Sequence, residues 1–125
     1  MTNFYDKGLE KFALGQINLS ADTIKAVLLD VADYTVNLAT HEFLSDIPTA
    51  ARVAISPAMT GKTTTAGVFD ATSPYAFPAV TGDPCEAIVY FKDTGTDTTS
   101  PLLSYHDSAV TGLPVTPNGG DITVI

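Results

Sequence analysis

The 125-residue chain contains no tryptophan, one cysteine and only six basic residues. Because Cys85 stands alone, an internal disulfide is excluded, and its place beside an apolar run predicts a buried, inert thiol. Fourteen acidic residues give a formal net charge of −8, which argues against nucleic acid or an anionic membrane as a partner. The acidity favours solubility, or alternatively an acidic face that meets a basic partner surface or a cation.

Long apolar runs are also missing from the sequence. No stretch reaches the roughly 18 apolar residues of a membrane span, so none is predicted. The first residues lack a basic segment followed by an apolar one, and we therefore expect no secretory signal. Apolar residues make up 45% of the chain and charged residues 16%, which predicts one domain, residues 1–125, with a substantial core.

Two short apolar runs stand out, IKAVLLD at residues 24–30 and AIVYF at residues 87–91. Apolar side chains occupy both odd and even positions in each run, which is typical of a strand covered on both faces. We therefore expect both runs to lie in one sheet. Further strands are predicted at residues 50–55, 64–69, 75–80, 101–107 and 121–125, separated by Gly-, Pro- and Asp-containing turns.

This spacing predicts a mostly β fold, a single-domain antiparallel β-sandwich or barrel with a short N-terminal α-helix. In the strand at 101–107, strict alternation places Leu102, Ser104 and His106 on one face and Leu103 and Tyr105 on the other. Residues 41–48 are expected to form one helical turn that ends before a proline.

The N-terminal helix is predicted over residues 4–14, within an arm at about 3–15. Apolar side chains recur there at three- and four-residue spacing, namely at Tyr5, Leu9, Phe12 and Ala13. Gly8 weakens this helix by about 1 kcal/mol relative to alanine. We expect the helix to lie on the body of the domain, or alternatively to act as an arm that docks on a neighbouring subunit.

Motifs that would indicate catalysis or nucleotide binding are incomplete. The Gly61-Lys62 pair suggests a phosphate-binding loop, but Ser56 stands where that motif needs its first glycine. Ser104 and His106 share a strand face, whereas Asp107 points to the other face, so the three do not form a triad. We therefore expect no enzyme and no catalytic residue.

Metal-binding patterns are similarly weak. His41 and His106 have no partner at ligand spacing, and no metal or other cofactor is expected. The polar loop at residues 93–97 has two aspartates that could hold a cation weakly, although a mobile, solvated loop is the favoured interpretation.

A series of short motifs extends over nearly the whole chain: YDKGLEK at 5–11, DTIKAVLLD at 22–30, HEFLSDIP at 41–48, ARVA at 51–54, FPAVTG at 77–82, KDTGT at 92–96 and GLPVTPNGGDI at 112–122. This order resembles a family of small, poorly characterised virion proteins of tailed bacteriophages. The LPVTPNGGD run is its most distinctive part. The family has no catalytic residues to carry over.

The resemblance implies a structural role in the virion, as a capsid decoration (cement) protein bound to the major capsid protein or other virion proteins, or as a tail or fibre component. A homo-oligomer is expected. The residues predicted to contact partners lie on the helical arm and on the last strand, which stops without a turn or a charged cap. They are Phe4, Tyr5, Leu9, Phe12, Asp121, Ile122, Thr123, Val124 and Ile125, with packing inside the chain as the alternative for each.

A tail or fibre role would involve receptor or glycan binding. Aromatic rings stack on sugars, so this hypothesis predicts an exposed surface formed by Tyr34, Tyr75, Tyr90 and Tyr105.

Overall fold

A computed structural model of the chain describes residues 2–67, 75–107 and 113–124. Within these ranges the chain forms one α-helix, seven strands and four short 3₁₀ turns. The helix and strands are β1 (Thr2–Phe4), α1 (Asp6–Ala13), β2 (Ile24–Leu29), β3 (Arg52–Ile55), β4 (Tyr75–Phe77), β5 (Ala87–Lys92), β6 (Leu102–His106) and β7 (Ile122–Val124). The 3₁₀ turns are Leu44–Asp46, Thr49–Ala51, Thr65–Gly67 and Asp97–Thr99.

Five strands form one antiparallel sheet in the order β1-β6-β5-β2-β3, and β4 and β7 form a second, two-stranded sheet. The two apolar runs are neighbours in the larger sheet, paired in register from Ile24 opposite Lys92 to Leu29 opposite Ala87. The predicted mostly β, antiparallel, single-domain fold with an N-terminal helix is confirmed. In the described residues the larger sheet is open, with β1 and β3 at its edges.

Each face of the larger sheet is covered by a different part of the chain. On one face, Val27 and Val89 pack with buried side chains of the segment between β2 and β3, among them Tyr34 and Ile47. On the other face, Leu28 and Ile88 pack against the small sheet and the turns around it. Burial on both faces explains why β2 and β5 lack the alternating pattern of a half-exposed strand.

The predicted side-chain alternation along β6 is wrong at Leu102, although Ser104 and His106 share a face as predicted. Phe91 lies opposite Leu102 and Tyr90 lies opposite Ser104, so Leu103 is an extra residue, a β-bulge. Because of this extra residue, Leu102 and Tyr105 face the same side of the sheet, whereas strict alternation would place them on opposite sides. Leu102 and Tyr105 consequently share one core cluster, while Leu103 packs with Ile24 on the opposite face.

Two other strand predictions differ from the structure. Residues 65–67 form a 3₁₀ turn instead of a strand. Ala66 has a φ of 55°, which is incompatible with extended backbone. Residues 68 and 69, the rest of that predicted strand, lie outside the described residues. β4 ends at Phe77, directly before Pro78, whose ring nitrogen has no N–H to donate to a ladder.

Candidate functional site

Residues 2–14, which comprise β1, α1 and Leu14, lie along one edge of the larger sheet. We call these residues the N-terminal edge. β1 pairs with residues 104–106 of β6, and α1 lies on the next part of the same strand. Gly8 is buried, and a Cβ atom at this position would lie 2.5 Å from the Leu102 carbonyl oxygen. The helix therefore contacts the β6 backbone directly, and only glycine allows so close an approach.

Tyr5 anchors the N-terminal edge in the core. Its ring is fully buried, its N–H donates to the Leu103 carbonyl at 3.0 Å, and its hydroxyl is 2.9 Å from that of Tyr34. The Tyr34 hydroxyl is in turn 2.7 Å from Nδ1 of His41. Burial raises the pKa of Tyr34 to about 12 and that of Tyr5 further, so both remain neutral hydrogen-bonding groups. The predicted partner contact by Tyr5 is wrong, because its side chain is inaccessible.

Further contacts hold α1 on its own domain. Phe12 is partly buried against the cluster that contains Leu103, and its predicted partner contact stays a prediction. Lys11 forms an ion pair of 2.7 Å with Glu42 and lies 5.1 Å from the centre of the Phe43 ring. The helix lies on the body of the domain, as the first interpretation expected, and does not project as an arm.

The exposed apolar side chains are concentrated on the N-terminal edge. Of the large apolar residues that the structure describes, four are exposed: Phe4 (53%), Leu9 (48%), Leu14 (70%) and Ile55 (44%). The first three lie within eleven consecutive residues, whereas Ile55 lies on β3, at the opposite edge of the sheet. The sequence predicted Phe4 and Leu9 but missed Leu14, which follows the last residue of the helical pattern.

The second predicted contact surface, residues 121–125, is largely used within the chain. β7 pairs with β4, with Ile122 opposite Phe77, and Ile122 is buried. The prediction that Ile122 contacts a partner is therefore wrong, and the Thr123 and Val124 backbones already have a strand partner in the same chain. Asp121 is exposed, and its carboxylate accepts a hydrogen bond from the Ala79 N–H at 2.9 Å. Ile125 lies outside the described residues.

The tyrosines do not form the exposed stacking surface that glycan binding would need. Tyr34 and Tyr105 are buried, and their rings lie 6.4 Å apart inside the core. Tyr90 is half-buried and meets the His106 ring edge-to-face at 5.3 Å. For Tyr75 the structure describes only the backbone pairing in β4. The prediction is thus wrong for the two buried tyrosines.

Ser104 and His106 are hydrogen-bonded to each other, with 2.9 Å between Oγ and Nε2. Ser104 is buried within β6, and burial lowers the pKa of His106. The hydrogen bond satisfies two polar groups that the sheet removes from water. A nucleophilic hydroxyl must be accessible to its substrate. Ser104 is buried, so its hydroxyl does not meet this requirement.

Acidic side chains occur in two different settings. In the loop after β5, Asp93 pairs with Lys25 at 2.7 Å and Asp97 pairs with Arg52 at 2.6 Å, so the carboxylates of the predicted weak cation loop are already engaged. A separate group, missed by sequence reasoning, brings carboxylate oxygens of Asp30, Asp33 and Asp83 within 4.8 Å of one another. These residues meet because β2 ends where β5 begins. Acidic groups cluster in this way without an ion, so no metal is assigned.

Every basic side chain of the protein is engaged within the chain. Four ion pairs of 2.6–3.2 Å and one of 3.5 Å involve Lys11, Lys25, Arg52, Lys92 and Lys7. The sixth, Lys62, donates to the backbone carbonyl of Asp22. With a formal charge of −8 and no basic side chain left over, the surface potential is dominated by carboxylates.

Three carboxyl groups, those of Asp22, Asp46 and Asp93, have pKa values below the ordinary value of the group. For Asp93, the cause is the hydrogen-bonded ion pair with Lys25. For Asp46, burial alone would raise the pKa, but the N–H groups of Glu42 and Phe43, at 2.7 and 3.0 Å, stabilise the charged form and lower the pKa overall. Asp46 thereby fixes the segment before β3, and Asp93 fixes the start of the loop after β5.

Acid is expected to destabilise the protein through these groups. A carboxyl with a lower pKa in the folded state contributes stability above its unfolded pKa of about 4, and this is lost as the pH falls through the folded value. The free energy of unfolding, measured by guanidinium titration at pH 5 to 2, should therefore decrease with falling pH. Asp46→Asn keeps an oxygen acceptor but cannot titrate, so its curve should be flatter. Parallel curves for the two proteins would contradict this role of Asp46.

Within the described residues, no helix is both long and apolar enough to cross a bilayer. Comparison of the sequence with protein-family models and with curated proteins found no match. The fold and the surface together define a small, mostly β protein that presents an apolar edge built from its N-terminal segment.

Proposed function

We propose that this chain is a structural protein of a tailed-bacteriophage particle and stabilises the head as a capsid decoration protein. The observation that carries the proposal is the exposure of Phe4, Leu9 and Leu14 on an element docked firmly to its own domain. Such a surface is preorganised to bind another protein, because little conformational freedom is lost on contact. The motif resemblance supplies the virion setting, with the major capsid protein or another virion protein as the partner.

The size of this surface favours binding as one of many copies. Burying the remaining exposed area of three half-exposed apolar side chains contributes roughly 3–4 kcal/mol at best. Micromolar affinity requires about 8 kcal/mol, so this contact alone is too weak for a single soluble pair. On a lattice, several such contacts act together and the effective concentration is high, which is the arrangement of a homo-oligomeric decoration protein.

The copy number of the chain in separated heads and tails, measured by quantitative mass spectrometry of purified particles, tests the proposal. Many copies in heads are expected, together with a lower bursting temperature for heads that lack the protein. A few copies in tails would replace the decoration role by a tail or fibre role. Absence from both fractions would overturn the virion assignment.

Replacing Phe4 and Leu14 together by serine should weaken rebinding to depleted heads by about tenfold or more, because two exposed apolar contacts are lost. Ile55→Ser is the matched control, since it removes an exposed apolar side chain from the opposite edge of the sheet. Co-sedimentation of each variant with heads measures the effect. Equal losses for the two proteins would show that the N-terminal edge is not the contact surface.

A further inference from the structure

The LPVTPNGGD run at residues 113–121 ends in a tight turn at Asn118-Gly119-Gly120. Gly119 has a φ of 88°, in the left-handed region that favours glycine. The side-chain oxygen Oδ1 of Asn118 accepts a hydrogen bond of 2.9 Å from the Gly120 N–H. The turn thus uses an asparagine as an acceptor and a glycine directly after it for its backbone conformation, and this pair of residues is chemically labile.

The lability comes from attack of the main chain on the asparagine side chain. The backbone nitrogen of the following residue bonds to Cγ of the asparagine, and the Cγ–Nδ2 bond breaks. Ammonia leaves with the proton of the attacking nitrogen, and a cyclic succinimide remains. Water then opens the ring at either carbonyl, which gives aspartate or isoaspartate without oxidation or reduction. Glycine favours the attack because it has no Cβ atom to obstruct it.

Sequence and exposure both single out Asn118 for this reaction. The chain has four asparagines, and those at positions 3, 18 and 37 are followed by phenylalanine or leucine. Only Asn118 precedes a glycine. Asn118 and Gly119 are also exposed, so water reaches the side chain and the ring that would form from it.

The fold holds both reacting groups in other contacts. The Gly119 N–H donates to the Val80 carbonyl at 2.8 Å, and the Val80 N–H donates to the Gly120 carbonyl at 3.0 Å. Asp121 extends this pairing, since its Oδ1 accepts a hydrogen bond of 2.9 Å from the Ala79 N–H. The attacking nitrogen is therefore bonded to a distant segment of the chain, and succinimide formation requires that this pairing open first.

We propose that Asn118 is the site at which this chain deamidates, and that the pairing of residues 79–80 with residues 119–121 controls the rate. The closed turn keeps the Gly119 nitrogen on the Val80 carbonyl, and the reaction proceeds from the minor population in which the turn is open. The inference is independent of the proposed function.

The two products affect the turn differently. Aspartate at position 118 keeps an oxygen acceptor for the Gly120 N–H. Isoaspartate inserts an additional CH₂ group into the main chain, which moves Gly119 and Gly120 out of register with Val80. Because Val80 and Ile122 pack in the same cluster as Cys85, isoaspartate should loosen the packing around this buried thiol.

Incubation of the full chain at mildly alkaline pH, folded and in guanidinium, tests the proposal. Peptide mapping by mass spectrometry measures deamidation, since replacement of NH₂ by OH changes the mass. In guanidinium, Asn118 should deamidate much faster than Asn37, which serves as a control in the same chain. In the folded protein the rate at Asn118 should be at least about tenfold lower than in guanidinium, because the open state is a minor population.

Two variants of Asp121 test the control by the turn. Asp121→Ala removes the acceptor of the Ala79 N–H, so Asn118 in the folded protein should react about fivefold faster than in the wild type. Asp121→Asn removes the same charge but keeps an oxygen acceptor, and it should react as the wild type does. In guanidinium all three proteins should deamidate at the same rate.

The reactivity of Cys85 tests the effect of the products. After incubation, the isoaspartate fraction of the wild type should react faster with a thiol reagent than Asn118→Asp, which carries the normal aspartate. Equal reactivity would overturn the predicted loosening. An Asn118 rate in guanidinium no higher than that of Asn37 would overturn the site. Equal rates for the folded and unfolded wild type, or for the two folded Asp121 variants, would overturn control by the turn.

Discussion

Phe77→Ala is expected to lower the free energy of unfolding by about 3–5 kcal/mol, the largest effect of any substitution considered. Phe77 is fully buried, and it lies on β4, which pairs with β7 in the two-stranded sheet. Its ring belongs to the cluster formed with Leu28 and Ile88 on the larger sheet. Truncation removes the buried ring and leaves a cavity between the two sheets.

The single cysteine provides a local readout of the same change. Cys85 is buried in the cluster that contains Phe77, and burial raises the pKa of its thiol to about 11. A thiol reagent should therefore react slowly with the wild type and faster with Phe77→Ala, since the small sheet opens more often. Guanidinium unfolding supplies the global free energy.

Phe4→Ala is the matched control, because it removes the same ring from an exposed position and should change the free energy of unfolding by no more than about 0.5 kcal/mol. The free energy of unfolding could fall equally little in both variants, with no change in the reactivity of Cys85. That result would mean that the small sheet is not packed on the larger one as the structure shows.

Gly8→Ala should lower the free energy of unfolding by about 1–3 kcal/mol, although the same change in an exposed helix raises stability by about 1 kcal/mol. The sign is reversed by the Leu102 carbonyl oxygen, which would lie 2.5 Å from the new Cβ atom. Because that oxygen belongs to the backbone of β6, relief requires α1 to move away and to disturb the burial of Tyr5 nearby.

Ala13→Gly provides the propensity control at the exposed end of the same helix, with an expected loss of up to about 1 kcal/mol. Guanidinium unfolding of both variants, followed by far-UV circular dichroism, separates propensity from contact. Stabilisation by Gly8→Ala would mean that α1 does not lie against β6.

Several features of the fold were predictable because they depend on local patterns. The runs at 24–30 and 87–91 are apolar at successive positions, which is typical of strands covered on both faces, and they pair with each other. The turn before Pro48 forms at Leu44–Asp46, where Asp46 accepts hydrogen bonds from two preceding N–H groups.

The candidate site was predicted only in part. Helical spacing identified a stripe that contains Tyr5, Leu9 and Phe12, but periodicity does not say which members face the chain's own core. The structure buries Tyr5 and half-buries Phe12, and it leaves Leu9 and the neighbouring Phe4 exposed. Leu14 was not predicted to be a contact residue, because it follows Ala13, the last residue of the apolar helical spacing.

The sequence by itself determined the mostly β class, the central strand pair, the helix near the N-terminus and the excess of negative charge, since each follows from composition or from the spacing of neighbouring residues. Tertiary structure alone decided the bulge at Leu103, the need for glycine at position 8, and the internal pairing of β7 with β4. These features arise where segments distant in sequence meet. Their energies depend on contacts of a few ångströms, which no local pattern encodes.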